Sequence, residues 1–201
     1  GKNKGRQDVW NQVSSILQSV NLDDSYGDRY PSQLSGGEKQ RVGIARAIAA
    51  EPSVIICDES DSALDVSVQA TVLNLLRTLQ RERDFSYVFV SHDLAVVRYI
   101  ADHVAVMYLG QVVATGPAPT VFSVPSHPYT ESLLSAVSEP DPLAPDTRIR
   151  LPGTVPSAAA LPSGCPFHTR GPRKLGPICE GSMPPWQAGE HGHRIRCHIP
   201  L

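Results

Sequence analysis

The run "VIICDES" carries an apolar stretch, residues 54–57, straight into two adjacent carboxylates, Asp58 and Glu59. Charge is costly along a buried strand, so a pair of acids there belongs at the strand's end, facing solvent or a ligand. Paired carboxylates in that position suit magnesium-assisted hydrolysis. The first holds Mg2+ through its water shell, and the second orients and polarises an attacking water. Acids that follow a strand also cap the next helix, and the pair taken alone supports both readings. A second apolar run, "YVFVS" (87–91), ends beside His92. If the two strands are neighbours, His92 stands next to Glu59, where a neutral imidazole can donate to a phosphate oxygen and accept from water or backbone. Taken alone, the stretch reads better as a capping Ser91 or Asp93 with an incidental histidine.

A third constellation is "LSGGEKQR", in which Ser35, Gly36, Gly37 and Glu38 open a strongly helical stretch. Small residues at a helix start leave backbone N–H groups exposed, and exposed N–H groups attract anions. Ser35 and Glu38 also fit the S-x-x-E capping box. The two readings are compatible, because a capped helix start still presents free N–H groups.

The elements that must position these residues are legible from periodicity. Residues 9–20 read as a helix ending near Asn21, and 38–50 as a second with Val42, Ala45, Ile48 and Ala49 on one face, stopped by Pro52. "SVIIC" predicts a buried parallel strand. Residues 66–82 form a third helix with Val68, Val72, Leu75, Leu76 and Leu79 on one face. After the strand at 87–91, "DLAVVRYIA" reads as a helix and "HVAVMYLGQVVATG" as two strands joined around Leu109 and Gly110. Strand–helix–strand–helix–strand predicts an α/β fold with a largely parallel sheet, whose function gathers at the carboxyl ends of its strands. Twelve of the eighteen prolines lie from Ser138 onward, which predicts sparse regular structure there.

Composition sets the class. The 201 residues, 41% apolar and 19% charged, are those of a globular protein with one good-sized core, or one core plus a small appendage. A net charge of −2 gives no bulk attraction to nucleic acid, and the basic "GKNKGR" is a short solvated end. The most apolar region, "LAVVRYIADHVAVMYLGQVV", is interrupted by Arg98, Asp102 and His103, so work at a membrane is expected to go through a partner. The chain opens at Gly1 in polar sequence, and an N-terminally incomplete chain is the expectation.

Taken together, "LSGGEKQRVGIARAIAAEPSVIICDESDSALD…FVSHDL" resembles the nucleotide-binding subunit of ATP-binding cassette (ABC) transporters. "LSGGE" is similar to the signature motif, with Glu38 where Gln is commonest; "VIICDE" to Walker B; "SALD" (62–65) to the D-loop; and His92 to the switch histidine. "VMYLGQVVATGPAPTVFSVPSHPYTESLLSAV", "LPGTVPS" and "GCPFHTR" resemble the oligopeptide/dipeptide importer subfamily, which includes nickel importers. The resemblance implies the C-terminal part of a nucleotide-binding domain, a parallel-sheet core with a remnant of the helical subdomain, over residues 1–122. Residues 123–201 are then a Pro- and Cys-containing extension.

The roles carried over are equally specific. Two such domains close head to tail, so Ser35, Gly36, Gly37 and Glu38 face the ATP held by the partner subunit. Asp58 serves Mg2+ through water, Glu59 is the general base, His92 meets the γ-phosphate, and Asp65 crosses the dimer interface. No G-x-x-x-x-G-K-[ST] stretch and no Q-loop occur in these residues, so the 201-residue chain alone is expected to be an inactive fragment of the ATPase. "DESDSALD" stands where the family usually reads D-E-P-T-S-A-L-D. Asp61 adds negative charge near Glu59, which raises a carboxylate pKa and repels phosphate. The implied partners are a second nucleotide-binding subunit, identical or not, transmembrane permease subunits and, indirectly, an extracytoplasmic solute-binding protein, with no nucleic acid. The implied location is the cytoplasmic face of the membrane, as a peripheral protein. A non-hydrolysing partner in an asymmetric dimer is the alternative, slightly favoured by Ser60 and Asp61. A cassette ATPase of DNA repair or translation does not account for "HPYTESLL" or the cysteine tail.

Cys57 reads as a small core residue. Cys165, Cys179 and Cys197 lie in the tail with His168 and His198 nearby, but no C-x-x-C spacing marks a zinc site. In the subfamily this tail commonly carries four cysteines, and some members hold an iron–sulfur cluster. Here Gly171 stands in the place of the additional cysteine, and three ligands leave a cluster labile or absent.

Overall fold

The computed structural model describes residues 2–59, 66–124, 127–137 and 147–200. The chain divides into two compact units, residues 1–96 and 97–201, a division that differs from the motif-based partition at residues 122 and 123.

In the first unit, α1 (Lys2–Ser19) ends where the sequence predicts. Asn21 takes a left-handed φ of 58°, and the Leu22 and Asn21 amides donate to the Leu17 and Gln18 carbonyls at 3.0 Å each. This double closure satisfies the orphan carbonyls of the last turn and brings buried Leu17 and Leu22 together. A 3-10 turn at Asp24–Asp28 follows, opened by Asp23, whose carboxylate accepts from the Ser25 amide. Then come α2 (Gly36–Ile48), β1 (Val54–Asp58), α3 (Val66–Arg83) and β2 (Ser86–Val90). Ala45 and Ile48 of α2 and Val72, Leu75, Leu76 and Leu79 of α3 are buried as expected, whereas Val42 and Val68 are half-buried, Ala49 is exposed, and Ile44 and Leu73 are buried in addition.

β1 and β2 are parallel neighbours, with Ile55 opposite Tyr87 and Asp58 opposite Val90. The strand expected to be wholly buried instead alternates: Ile55 is buried while Val54 and Ile56 are exposed, as are Val88 and Val90 on β2. The reason is that one face of the pair is covered. The Tyr87 hydroxyl donates to the Leu76 carbonyl of α3 at 3.3 Å, and among the described residues nothing buries the opposite face.

The unit boundary falls within α4 (Leu94–Ile100). The second unit is built on β3 (His103–Tyr108) and β4 (Gln111–Pro117), joined by Leu109 at φ 47° and Gly110 at φ 76°. Two successive positive φ values make the two-residue turn whose twist matches a hairpin. A two-residue link can only return a strand antiparallel. Parallel pairing among the described residues is therefore confined to β1 and β2, a narrower extent than the largely parallel sheet expected.

After β4 come α5 (Ala118–Ser123), α6 (Pro128–Ser135), α7 (Pro177–Gly181), β5 (Trp186–Ala188) and β6 (Arg194–Arg196). The strand order is β3-β4-β6-β5, antiparallel throughout, so the proline-rich tail supplies half the strands of this sheet. Val104, Ala118 and Val121 form one buried cluster, Tyr108, Val113 and Phe167 a second, and Ala114, Ile195 and Cys197 a third. No helix among the described residues is long and apolar enough to cross a membrane.

Candidate functional site

Ser35 precedes α2 in extended backbone (φ −66°, ψ 167°). Its Oγ accepts from the Glu38 amide at 3.3 Å, and its own amide donates to Glu38 Oε2 at 2.7 Å. The capping box is therefore formed in both directions, and Ser35 itself is exposed. Gly37 is required by packing, since a Cβ there would lie 2.7 Å from Cγ1 of Val68 on α3. Val68 is β-branched and stiff, so it cannot swing aside cheaply.

Glu38 is half-buried and has a partner that spacing did not reveal. The Tyr26 hydroxyl, from the preceding 3-10 turn, donates to Glu38 Oε1 at 2.5 Å. That bond first, and the Ser35 amide second, hold the Glu38 carboxyl down to about 2. Tyr26 lies twelve residues upstream and carries no periodic or motif signal.

At the other end of the unit, the parallel pairing of β1 with β2 brings together the two groups that the sequence placed on separate strands. Glu59 follows β1 at φ 44°, a left-handed conformation uncommon for a residue with a side chain, and its Oε1 lies 3.5 Å from His92 Nδ1. Both side chains are open to solvent, 61% and 72% exposed respectively. Asp58 ends β1 and is also exposed. Asp93 caps α4 through its Oδ1, which accepts from the Ala95 amide at 2.8 Å and the Val96 amide at 3.3 Å. The capping reading of Asp93 and the pairing of His92 with Glu59 thus coexist. Asp65, with the rest of "SALD" and with Ser60 and Asp61, lies outside the described residues. Cys57 is half-buried, and burial pushes its thiol up to about 11, as an inert core residue requires.

Cys165, Cys179 and Cys197 line a small cavity of about 30 Å³ with His127, Phe167 and Gly171, among others. All three are free thiols. The volume is close to one water's share of liquid. A Cβ at Gly171 would lie 3.2 Å from the Phe167 carbonyl, tight for any side chain. Among the described residues no group of three or more His, Cys, Asp or Glu side chains converges closely enough to hold a metal ion. With three cysteines and no side chain at residue 171, the tail does not fit an iron–sulfur cluster.

His127, which the sequence reading did not single out, is buried at 1% exposure. Its Nδ1 accepts from the Tyr129 amide at 3.1 Å as the cap of α6, and the remaining ring nitrogen faces the Arg196 carbonyl of β6. Burial, opposed by that carbonyl, pulls its pKa down to about 4. Pro128 at the first helical position was the available signal for a cap at residue 127.

Residues 2–62 match the ABC transporter family, and residues 113–179 match the oligopeptide/dipeptide transporter C-terminal region. By these two matches the chain is similar to ABC transporter ATP-binding proteins that carry this C-terminal region. It is 49% identical over 194 residues to the oligopeptide transport ATP-binding protein OppF of Salmonella typhimurium, covering 96% of this chain and 58% of that protein. It is 45% identical over 190 residues to the oligopeptide transport ATP-binding protein AppF of Bacillus subtilis, covering 94% and 57%. The chain thus spans little more than half the length of the curated relatives it matches. Among solved structures it is similar to a metal-chelate type ABC transporter in an inward-facing conformation (TM-score 0.54, 30% identity, 62% of this chain and 47% of that one). It is also similar to the ADP conformation of an ATP-binding cassette of an ABC transporter (TM-score 0.53, 27% identity, 60% and 48%). The fold is that of an ABC nucleotide-binding domain, and the family uses ATP and Mg2+.

Proposed function

We propose that these residues belong to the ATP-hydrolysing subunit of an importer of oligopeptides or related solutes, and that they act on an ATP shared with a second cassette. The observation that carries the reading is the approach of Glu59 to His92 at the ends of two adjacent parallel strands, in a chain that also presents a capped Ser35–Gly37 helix start. Residues 1–122 then carry the cassette motifs and residues 123–201 the extension.

In this reading Glu59 orients the attacking water and takes its proton at the carboxylate, while His92, beside Glu59, donates its one N–H to a phosphate oxygen. Asp58, an exposed oxygen donor beside Glu59, fits Mg2+ held through water, and bound Mg2+ neutralises charge on the phosphates. Ser35, Gly36 and Gly37 face the ATP held by the other cassette's phosphate loop, Glu38 supports that segment through its bonds to Ser35 and Tyr26, and Asp65 is assigned a part in the same dimer contact. The protein works peripherally at the cytoplasmic face, with permease subunits and, through them, a solute-binding protein.

Proteoliposomes containing the intact protein with its permease subunits test this. Peptide-loaded binding protein is expected to stimulate ATP turnover and to drive peptide inward. Turnover that never couples to peptide movement overturns the importer assignment. Ser60 and Asp61, where the family writes Pro and Thr, favour a second reading in which this subunit holds ATP without hydrolysing it. An unchanged dimer ATPase after Glu59→Gln selects that second reading.

A further inference from the structure

Both oxygens of the Glu38 carboxylate are engaged, and from opposite sides. Oε2 takes the Ser35 amide, which belongs to the helix start, and Oε1 takes the Tyr26 hydroxyl, which belongs to the preceding 3-10 turn. Tyr26 is itself fixed. The Arg29 guanidinium stacks over its ring at 3.8 Å, Arg29 Nη2 donates to Ser25 Oγ at 3.1 Å, and the Asp23 cap ties down the Ser25 amide at 2.8 Å. A carboxylate held by one amide alone can rotate about its terminal bond and release it. Held at both oxygens it cannot, and charge-assisted bonds are the strong ones. The arrangement also suits the residue at position 38. A glutamine has one carbonyl oxygen for these two donors, whereas a glutamate has two. The clamp spends the Glu38 charge on protein donors, away from the exposed face of Ser35.

We propose that Tyr26 is a positioning residue for the signature segment: by gripping Glu38 from the adjacent turn, it fixes the Ser35 amide and the start of α2 in the conformation offered to nucleotide. This rests on the reading above, that Ser35 faces an ATP held by the other cassette.

Tyr26→Phe removes one hydroxyl and keeps the ring beneath Arg29. Two measurements on the assembled transporter ATPase test the proposal: hydrogen exchange at the Ser35 amide, and kcat and KM for ATP. Tyr26→Phe is expected to speed Ser35 exchange and to lower kcat about tenfold, with KM changed less than about twofold, because ATP is bound elsewhere and only its closure onto Ser35 is impaired. Combined with Glu38→Gln, which already breaks the clamp, Tyr26→Phe should add little further loss. A merely structural tyrosine would lower the melting temperature, leave kcat of the folded protein unchanged and add fully to Glu38→Gln. Unchanged Ser35 exchange overturns the clamp whatever the ATPase does. Faster exchange with unchanged kcat overturns instead the reading of Ser35 as nucleotide-facing, and with it the role of Tyr26.

Discussion

The Glu59 amide donates to the Val90 carbonyl at 2.9 Å. This bond closes the last parallel pair, Asp58 with Val90, and Glu59 leaves the strand in a left-handed conformation with its carboxylate 3.5 Å from His92. Backbone held in such a sparsely populated region is typical of functional sites, where surrounding structure over-determines it.

Glu59→Gln keeps the amide rung and the side-chain shape but removes the base. In the intact protein, ATP turnover is expected to fall at least about a hundredfold, with ATP still bound and the closed dimer favoured. Steady-state turnover, together with nucleotide-dependent dimerisation by light scattering, checks this. A near-normal rate removes Glu59 from the role of base.

Ser35→Asp separates cap from nucleotide site. Aspartate is as good an N-cap as serine and suits the positive end of α2, so stability is expected to stay within about 1 kcal/mol of the parent. A carboxylate set against a partner-held γ-phosphate is repelled, and ATP-driven dimer closure should be lost. Normal closure would reduce the segment to a helix cap.

His127 makes the second unit sensitive to acid. Its folded pKa of about 4 lies below the unfolded value near 6.5, so neutral imidazole is favoured by folding. The stabilisation is full above pH 6.5 and lost as pH falls from 6.5 towards 4, amounting to roughly 3 kcal/mol in total. His193, also held low by burial, adds in the same direction. Urea unfolding followed by Trp186 fluorescence, in a Trp10→Phe background, should show the midpoint dropping across that window. His127→Gln should flatten the drop, and a midpoint indifferent to pH there removes His127 from it.

Leu109 occupies a left-handed turn position that disfavours its side chain, next to Gly110. Asn-Gly is the preferred pair for this hairpin turn, so Leu109→Asn is expected to raise stability by about 0.5 kcal/mol despite losing partly buried leucine surface. Urea midpoints at neutral pH decide it. A clear loss would show that packing of Leu109 against the Tyr108 and Phe167 cluster outweighs the turn.

The helices and the strands around the site were legible because their signals are local. Periodicity placed most of the buried residues of α2 and α3, though not Ile44 or Leu73, Asn21 marked the closure of α1, and the strand-end acids and His92 announced a meeting that needed only adjacent parallel strands. Illegible were relationships that depend on distant partners. Tyr26 meets Glu38 because a 3-10 turn folds back over a helix start. β5 and β6 are three residues each, too short for any alternation to show. The exposure of Ile56 depends on which face of β1 is covered, and an all-apolar run cannot encode that.

β6 pairs at β4, placing Ile195 opposite Ala114, so the second unit's sheet has its seam between segments about eighty residues apart in the chain. A ribosome adding roughly 5–20 residues per second needs on the order of ten seconds to bridge that gap. The hairpin of β3 and β4 closes on its own within microseconds. During synthesis the unit therefore waits as a two-stranded ribbon with one edge of β4 open until β6, about eighty residues further on, has been made. Slowed translation, or a stop codon ahead of β6, would strand the nascent chain in that half-zipped state, with a hydrogen-bonding edge available to whatever chain comes by.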